Sequence, residues 1–364
     1  MEKFLATTDC LAKISRTAAE AYDARKGLLA ERVNQSLLTR PDLAEIIGST
    51  DAIELMQDNH RNHALFLTTV LHLSAFRLLA SVIPWVYRTY NQHGFSLSYF
   101  PIALAAWKQA IEKELPPAAA AEIIPVYDWM LARHENLMEL TRNLVAKNGA
   151  NMTADAEKFL NGLLQQDLPD SIEQGEKNLN PGESLRRFYS DTMRPAMYEV
   201  GARWARGELT VADEHLATSL AQTVVANLQT RSVAGSGKRG RAIITAATNE
   251  QHDLGARMTA HAFESDGWEV IYLGANMPLS DLTHMTRRVK PRFIGISLAM
   301  PYHLHHVKRI IDTFKSDAEL KQINILVGGL VFSMFAEAAA CLPGALIVSD
   351  LEEAIKQARR WAVG

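Results

Sequence analysis

Hydrophobic positions divide the 364-residue chain into two regimes. Up to about residue 232, apolar residues recur at three- and four-residue spacing, as in Leu104, Trp107, Ala110, Ile111 and again in Ile123, Val126, Trp129, Met130. That period places one apolar face on each helix and predicts an all-helical region. Breaks are expected at Arg40-Pro41, His93-Gly94 and Pro116-Pro117. The most apolar stretch, Ala64 to Trp85, contains His72 and Arg77 and is interrupted by Pro84, which predicts a buried helix pair rather than a membrane span. After residue 151 the helices become more charged and divide into four, about 153–165, 169–178, 183–206 and 211–230, with Pro169, Asn180-Pro181-Gly182 and Gly207 at the boundaries. From Arg241 the period changes. Short β-branched runs at Ala242–Ala247, Glu269–Leu273, Phe293–Leu298, Asn324–Val327 and Ala345–Val348 alternate with amphipathic helices. Five such repeats predict a doubly wound, flavodoxin-like parallel sheet. The expected domains are 1–150, helical; 151–232, a four-helix bundle; 233–240 (VAGSGKRG), a linker of small and basic residues; and 241–364, the α/β domain.

Composition narrows this picture. Net charge is −3 and 22% of residues are charged, which supplies no global drive towards nucleic acid but leaves room for a local basic patch. The two cysteines, Cys10 and Cys341, form no CxxC, which fits a reducing cytoplasm and argues against a structural zinc site. The N-terminal MEKFLATTDCLAKISR has neither a long apolar run nor a small-residue cleavage site, so a cytoplasmic chain without signal peptide or membrane partner is expected.

Doubly wound sheets bind ligands at the carboxyl ends of their strands, where strand order reverses. With the order 2-1-3-4-5, the loops after strands 1 and 3 flank that point. The first of them reads Thr248-Asn249-Glu250-Gln251-His252-Asp253-Leu254-Gly255. His252 projects into the crevice, and Glu250 is placed to bond its other ring nitrogen, which fixes the tautomer and makes the imidazole a better metal ligand. Gly255 lets the next helix begin without a Cβ in the way of a ligand. Ser297-Leu298-Ala299 follows strand 3, and Gly328-Gly329 follows strand 4. From Gly255 to Ser297 there are 41 intervening residues, and from Ala299 to Gly328 there are 28. This resembles the cobalamin-binding signature, in which Asp-x-His-x-x-Gly, Ser-x-Leu and Gly-Gly follow one another at such spacings. Methionine synthase, corrinoid shuttle proteins and base-off mutases belong to that family. The resemblance implies that His252 ligates cobalt in place of cobalamin's own dimethylbenzimidazole. It also implies that Asp253 and Leu254 line the lower site and that the nucleotide tail runs beside Ser297, Gly328 and Gly329. Glu250 stands where the family has Asp, and Ala299 where it has Leu. Two other α/β readings fail on position. Strand 3 ends SLAMP without the aspartate of a phospho-receiver, and Gly235-x-Gly237-x-x-Gly240 precedes the first strand and opens no helix, unlike a dinucleotide fingerprint.

The bundle region contains Trp204, then nine residues, then Glu214-His215, with Val211 between them. This resembles the Trp-x9-Glu-His motif of the CarH-type cobalamin photoreceptors. An adenosyl group on cobalt needs a flat apolar wall, which Trp204 supplies, and acceptors for ribose hydroxyls, which Glu214 supplies. The resemblance implies adenosylcobalamin held in the dark, photolysis of its cobalt–carbon bond, and a shift of conformation or homo-oligomeric state, dimer or tetramer. In that family a histidine directly after the tryptophan takes the upper cobalt position after photolysis. Ala205 stands there in this chain, which leaves His215 or water for that role. The DNA-binding helix-turn-helix of that family is not seen, so direct DNA binding is not implied and output passes to a downstream protein partner.

Residues 1–150 have the length of a globin-like domain, which is open to three roles: a sensor fold that dimerises without a ligand, a haem site, or a linear tetrapyrrole site. Together with the cobalamin module this architecture resembles the photocobilins, which implies biliverdin as a second chromophore. Candidate contacts are His60, His63, Arg88, His93, Arg133 and His134, with Cys10 as a thioether candidate. Three functions stay open: a non-enzymatic light sensor, a corrinoid carrier of a methyltransferase system, and a cobalamin- or redox-responsive regulator without a light role.

Overall fold

The computed structural model describes residues 1–143, 152–179, 182–231 and 238–362. They fall into two compact units, Met1–Val145 and Ala146–Gly364. The expected linker thus lies outside the described residues from 233 to 237, as do the 1–150 boundary and the Asn180-Pro181 break.

The first unit is all-helical. Its longer helices are Arg16–Leu38, Ile53–Leu73, Phe76–Gln92, Tyr99–Glu114, Pro117–Ala132 and His134–Asn143. All three expected breaks separate helices. Ser15 caps the first of these helices by accepting from the Ala18 amide, and its own amide and hydroxyl bond the Glu122 carboxylate. The break in the apolar stretch falls at Ser74, which is left-handed at φ 47, and not at Pro84, which lies inside the second helix of the pair. Leu79, Val82, Ile83 and Tyr87 on that helix are all buried. Their burial offsets the roughly 3 kcal/mol that an internal proline costs. The core closes on Tyr22, Phe95, Tyr99, Trp107 and Tyr127.

The second unit joins a helical bundle to a sheet. Its strands β1 Arg241–Ala246, β2 Glu269–Tyr272, β3 Phe293–Ser297, β4 Asn324–Gly328 and β5 Leu346–Ile347 are all parallel, in the order β2-β1-β3-β4-β5. The expected order and strand positions therefore hold, with β5 two residues shorter than its apolar run. The bundle helices are Ala154–Leu164, Leu168–Glu176, a long third helix, and Val211–Arg231. The third consists of Gly182–Arg187, a π turn at Phe188–Met193, and Arg194–Ala205. Uniform helix was expected across 183–206. Pro195 has no N–H for the Asp191 carbonyl, and its ring crowds that carbonyl, so a wider turn before it relieves the clash.

Bundle and sheet share one core. Leu254, at the start of the helix after β1, is buried among Phe159, Phe188, Tyr189, Val224 and Leu228 of the bundle. Polar contacts reinforce the join: Tyr189 OH meets His261 Nδ1 at 2.7 Å, both buried, and Arg186 pairs with Glu352 at 2.9 Å. No described helix is long and apolar enough to cross a membrane.

Candidate cofactor site

Strand order reverses between β1 and β3, and the crevice there is built from their exit loops. The loop after β1 is braced to the loop after β2. Asn276 N donates to Glu250 O at 3.0 Å, Asn249 N to Asn276 Oδ1 at 2.9 Å, and Thr248 Oγ1 to Met277 O at 2.6 Å. Asn249 and Asn276 are both left-handed, at φ 65 and 51, a conformation that asparagine tolerates better than most residues.

Within this frame Glu250 is fully buried and has four donors. The His252 ring donates from Nδ1 to Oε1 at 2.5 Å, and its backbone N–H donates to the same oxygen at 3.1 Å. The amides of Ala299 and Met300, in the loop after β3, donate to Oε2 at 3.0 Å each. Burial works to raise the Glu250 pKa, but the His252 hydrogen bond and charge, with the backbone donors, bring it below its ordinary value. The hydrogen bond that His252 donates to Glu250 raises the pKa of His252 against partial burial, and the charges of Glu250 and Glu214 add to it. With Nδ1 committed, Nε2 is the ring atom left to coordinate, on a side chain 61% exposed. The donor set therefore fits cobalt held by a neutral imidazole.

Asp253, expected beside the ligand, instead ties elements together: Tyr272 OH of β2 donates to Oδ2 at 2.7 Å, and Gln222 Nε2 of the bundle donates to Oδ1 at 3.1 Å. Leu254 belongs to the bundle core rather than to the crevice. A Cβ at Gly255 would meet nothing within 4 Å except Ser297 Oγ at 3.4 Å, so these two residues border open space, as a tail channel requires. The glycine pair after β4 has a different origin. Gly329 has φ +128, and a Cβ there would lie 2.2 Å from Leu298 O, so the close approach it permits is to the chain's own backbone. A Cβ at Gly328 would meet Val348 Cγ2 at 3.1 Å.

From the bundle, Trp204 ends the Arg194–Ala205 helix, half-buried. Gly207 N and Glu208 N close the turn onto Trp204 O and Arg203 O at 2.8 and 2.9 Å. A reciprocal capping box between Thr210 and Asp213 then starts the Val211–Arg231 helix. Glu214 takes a hydrogen bond from Thr218 Oγ1 at 2.9 Å, and its charge reaches His252. His215 is 75% exposed and Val211 52%, so neither forms part of a closed wall.

Sequence reasoning did not single out the backbone amides of Ala299 and Met300, the Asn249–Asn276 brace, or His303. His303 is buried, its pKa lowered first by that burial, and it feels the charges of Glu250 and His252. The run Tyr302-His303-Leu304-His305-His306 directly after SLAMP was the available signal.

In the first unit, His60 and His63 share the Ile53–Leu73 helix and both point into the core. His60 bonds Asn34 Oδ1 at 2.5 Å and Tyr99 OH at 2.9 Å; His63 bonds Tyr127 OH at 3.0 Å and lies 4.8 Å from the Trp107 ring. Burial lowers both to a pKa of about 3. His134 Nδ1 bonds Tyr87 OH at 3.2 Å and His93 Nδ1 bonds Thr89 O at 2.8 Å. A groove of about 370 Å³ lined by Leu37, Arg40, Pro101 and Ile102 and a smaller one of about 220 Å³ beside Leu11 and Val126 touch none of the six tetrapyrrole candidates. Cys10 is exposed.

Comparison with known proteins adds the following. Residues 240–358 match a family model described as a B12 binding domain, and residues 155–229 match a second model of the same description. A dimethylamine corrinoid protein of Methanosarcina barkeri is 26% identical over 160 residues, 43% of this chain and 73% of that protein. The HTH-type transcriptional repressor CarH of Myxococcus xanthus is 26% identical over 223 residues, 59% of this chain and 67% of that protein. The solved structure of the Methanosarcina barkeri monomethylamine corrinoid protein covers 57% of this chain and 97% of its own, at 16% identity and a TM-score of 0.47.

Proposed function

We propose, for a chain whose residues 155–229 and 240–358 carry B12-binding domains, that it is a non-enzymatic, cytoplasmic light sensor built on adenosylcobalamin. The observation that carries the reading is the buried Glu250 carboxylate that fixes the His252 imidazole through Nδ1, in a unit whose bundle supplies Trp204 and Glu214. When bound, the cofactor supplies a cobalt–carbon bond weak enough for visible light to break. His252 would hold the metal through Nε2, while Glu250 keeps the Nδ1 proton in place. Ser297 and Gly255 border the channel for the displaced nucleotide tail. Trp204 shields the upper group from water, and Glu214 accepts its hydroxyl protons. Loss of that group would leave Trp204 and the turn to Val211 without a packing partner, and they would adopt a second arrangement. Because Ala205 replaces the histidine of the photoreceptor motif, His215 or water would be left for the role that residue plays in the light. The altered surface changes homo-oligomeric state or the contact with a downstream protein.

The reading extends to a globin-like first unit with biliverdin as second chromophore. Its candidate contacts are His60, His63, Arg88, His93, Arg133 and His134, of which the four histidines each hold a hydrogen bond within the unit.

A second reading is a corrinoid carrier that passes methyl groups between partner enzymes. Similarity to the dimethylamine corrinoid protein favours it, as does the exposure of Val211 and His215, which leaves the bundle side accessible.

The test is to load the full chain with adenosylcobalamin and compare absorbance and elution volume in darkness and after green light. The sensor reading expects photolysis and a changed elution; photolysis without any change in shape or assembly sinks it in favour of the carrier. His252→Ala is expected to alter the spectrum of the bound cofactor, and an unchanged spectrum removes the ligand assignment. Added biliverdin is expected to give a red-shifted band, and its absence removes the second chromophore.

A further inference from the structure

The end of the sheet opposite the crevice has a charge that the cofactor reading does not use. All five strands begin on that edge, and the helices leading into β2, β3 and β4 end there. Lys238 precedes β1, Lys290 and Arg292 precede β3, Lys315 and Lys321 precede β4, and Arg360 follows the last helix. All six are exposed, and none has an ion pair among the described residues. Four further arginines on the edge are balanced locally: Arg239 and Arg359 by Asp266, Arg241 by Glu269, and Arg287 by Asp317 and Glu319. The edge is therefore strongly positive on a chain whose net charge is −3. Helix C-termini favour cations by a few tenths of a kcal/mol each, which accounts for Lys315 but not for the loop residues Lys238, Arg292 and Lys321.

We infer that this edge is a docking surface for the phosphate backbone of duplex DNA, read without regard to sequence. Two features favour that partner over an acidic protein. Protein interfaces centre on apolar or aromatic anchors and are depleted in lysine, whereas the large exposed hydrophobic side chains of this unit, Tyr198, Val211, Leu216 and Met334, all lie on other segments. The strand-start cations gather before the three adjacent strands β1, β3 and β4, roughly 10 Å across at about 4.8 Å per strand, which is close to the about 12 Å width of a duplex major groove with phosphates on both rims. Among the described residues the aromatics at this edge pack on one another, Trp361 5.5 Å and Trp268 5.0 Å from the Phe293 ring, so they offer no free platform for stacking single-stranded bases. The surface is independent of the cofactor assignment, since it lies at the other end of the strands.

The test is fluorescence anisotropy of a short labelled DNA duplex of arbitrary sequence with the full chain. Binding is expected at 50 mM salt and should weaken by about 10³-fold at 200 mM, as for six phosphate contacts. The variant K290E/R292E/K315E/K321E is expected to lose at least tenfold in affinity. A milder K290Q/R292Q variant should lose less, with unchanged circular dichroism showing that both fold. No binding at 50 mM salt, equal binding by the folded quadruple variant, or a preference for polyglutamate over the duplex would each overturn the proposal.

Discussion

Glu250 spends both carboxylate oxygens, one on His252 and one on the amides that open the loop after β3. A glutamine there presents one oxygen and one N–H₂, so either the imidazole or the Ala299–Met300 amides would face a donor instead of an acceptor. Glu250→Gln is therefore expected to weaken cobalamin binding by roughly 10- to 100-fold, with Glu250→Asp retaining most of the affinity. Absorbance titration of the two variants at neutral pH reads this, and equal affinity for wild type and Glu250→Gln would remove the carboxylate from its role. The same scale explains Gly329. Its φ of +128 and the 2.2 Å approach to Leu298 O exclude a Cβ without backbone movement, so Gly329→Ala should cost roughly 3 kcal/mol or more, read as a lowered urea midpoint of the second unit.

At the scale of the element, the Ile53–Leu73 helix carries two imidazoles that burial keeps neutral, each with a pKa of about 3. In the unfolded chain they protonate near the ordinary histidine value of about 6.5. Between those limits the unfolded state binds more protons, so the stability these residues contribute is complete above about pH 6.5 and is lost as pH falls towards 3. The slope is about 1.4 kcal/mol per pH unit for each histidine within that window. Urea midpoints of the first unit at pH 7 and pH 5 are expected to differ clearly in the wild type and much less in His60→Gln/His63→Gln. An equal pH dependence in the double variant would show that other groups carry it. The π turn at Phe188–Met193 works on the same scale, since it belongs to the segment that brings Tyr189 to His261.

Across the whole molecule, the bundle and the sheet form one unit. Leu254 lies in the bundle core, and Tyr189–His261, Gln222–Asp253 and Arg186–Glu352 cross the join. Bundle and sheet should therefore unfold in one transition. Tyr189→Phe removes the hydroxyl that meets the buried His261 Nδ1, at a cost of about 1–3 kcal/mol. It is expected to shift the loss of helix, by circular dichroism, and the Trp268 fluorescence change of the sheet to the same lower denaturant concentration. Separate shifts would show that the two parts are energetically independent. Gln222–Asp253 also connects the helix that bears Glu214 to the residue beside His252, a physical route between bundle and metal loop.

By itself the sequence determined the element types and the strand positions, because period two against period three to four is a local property of burial. It also marked Glu250, His252, Gly255 and Ser297, because the spacing between strand ends is set by helix and strand lengths that the chain must keep. Tertiary structure alone decided the rest. Pro84 stays within its helix because the burial around it outweighs its cost. Asp253 turns to Tyr272 and Gln222, Gly329 answers to Leu298, and Glu250 gathers two amides some 50 residues away. His60 and His63 are candidate ligands or core residues alike in one dimension, and in three they hydrogen-bond Tyr99 and Tyr127. In each case the deciding partner lies far along the chain, where no local pattern can register it.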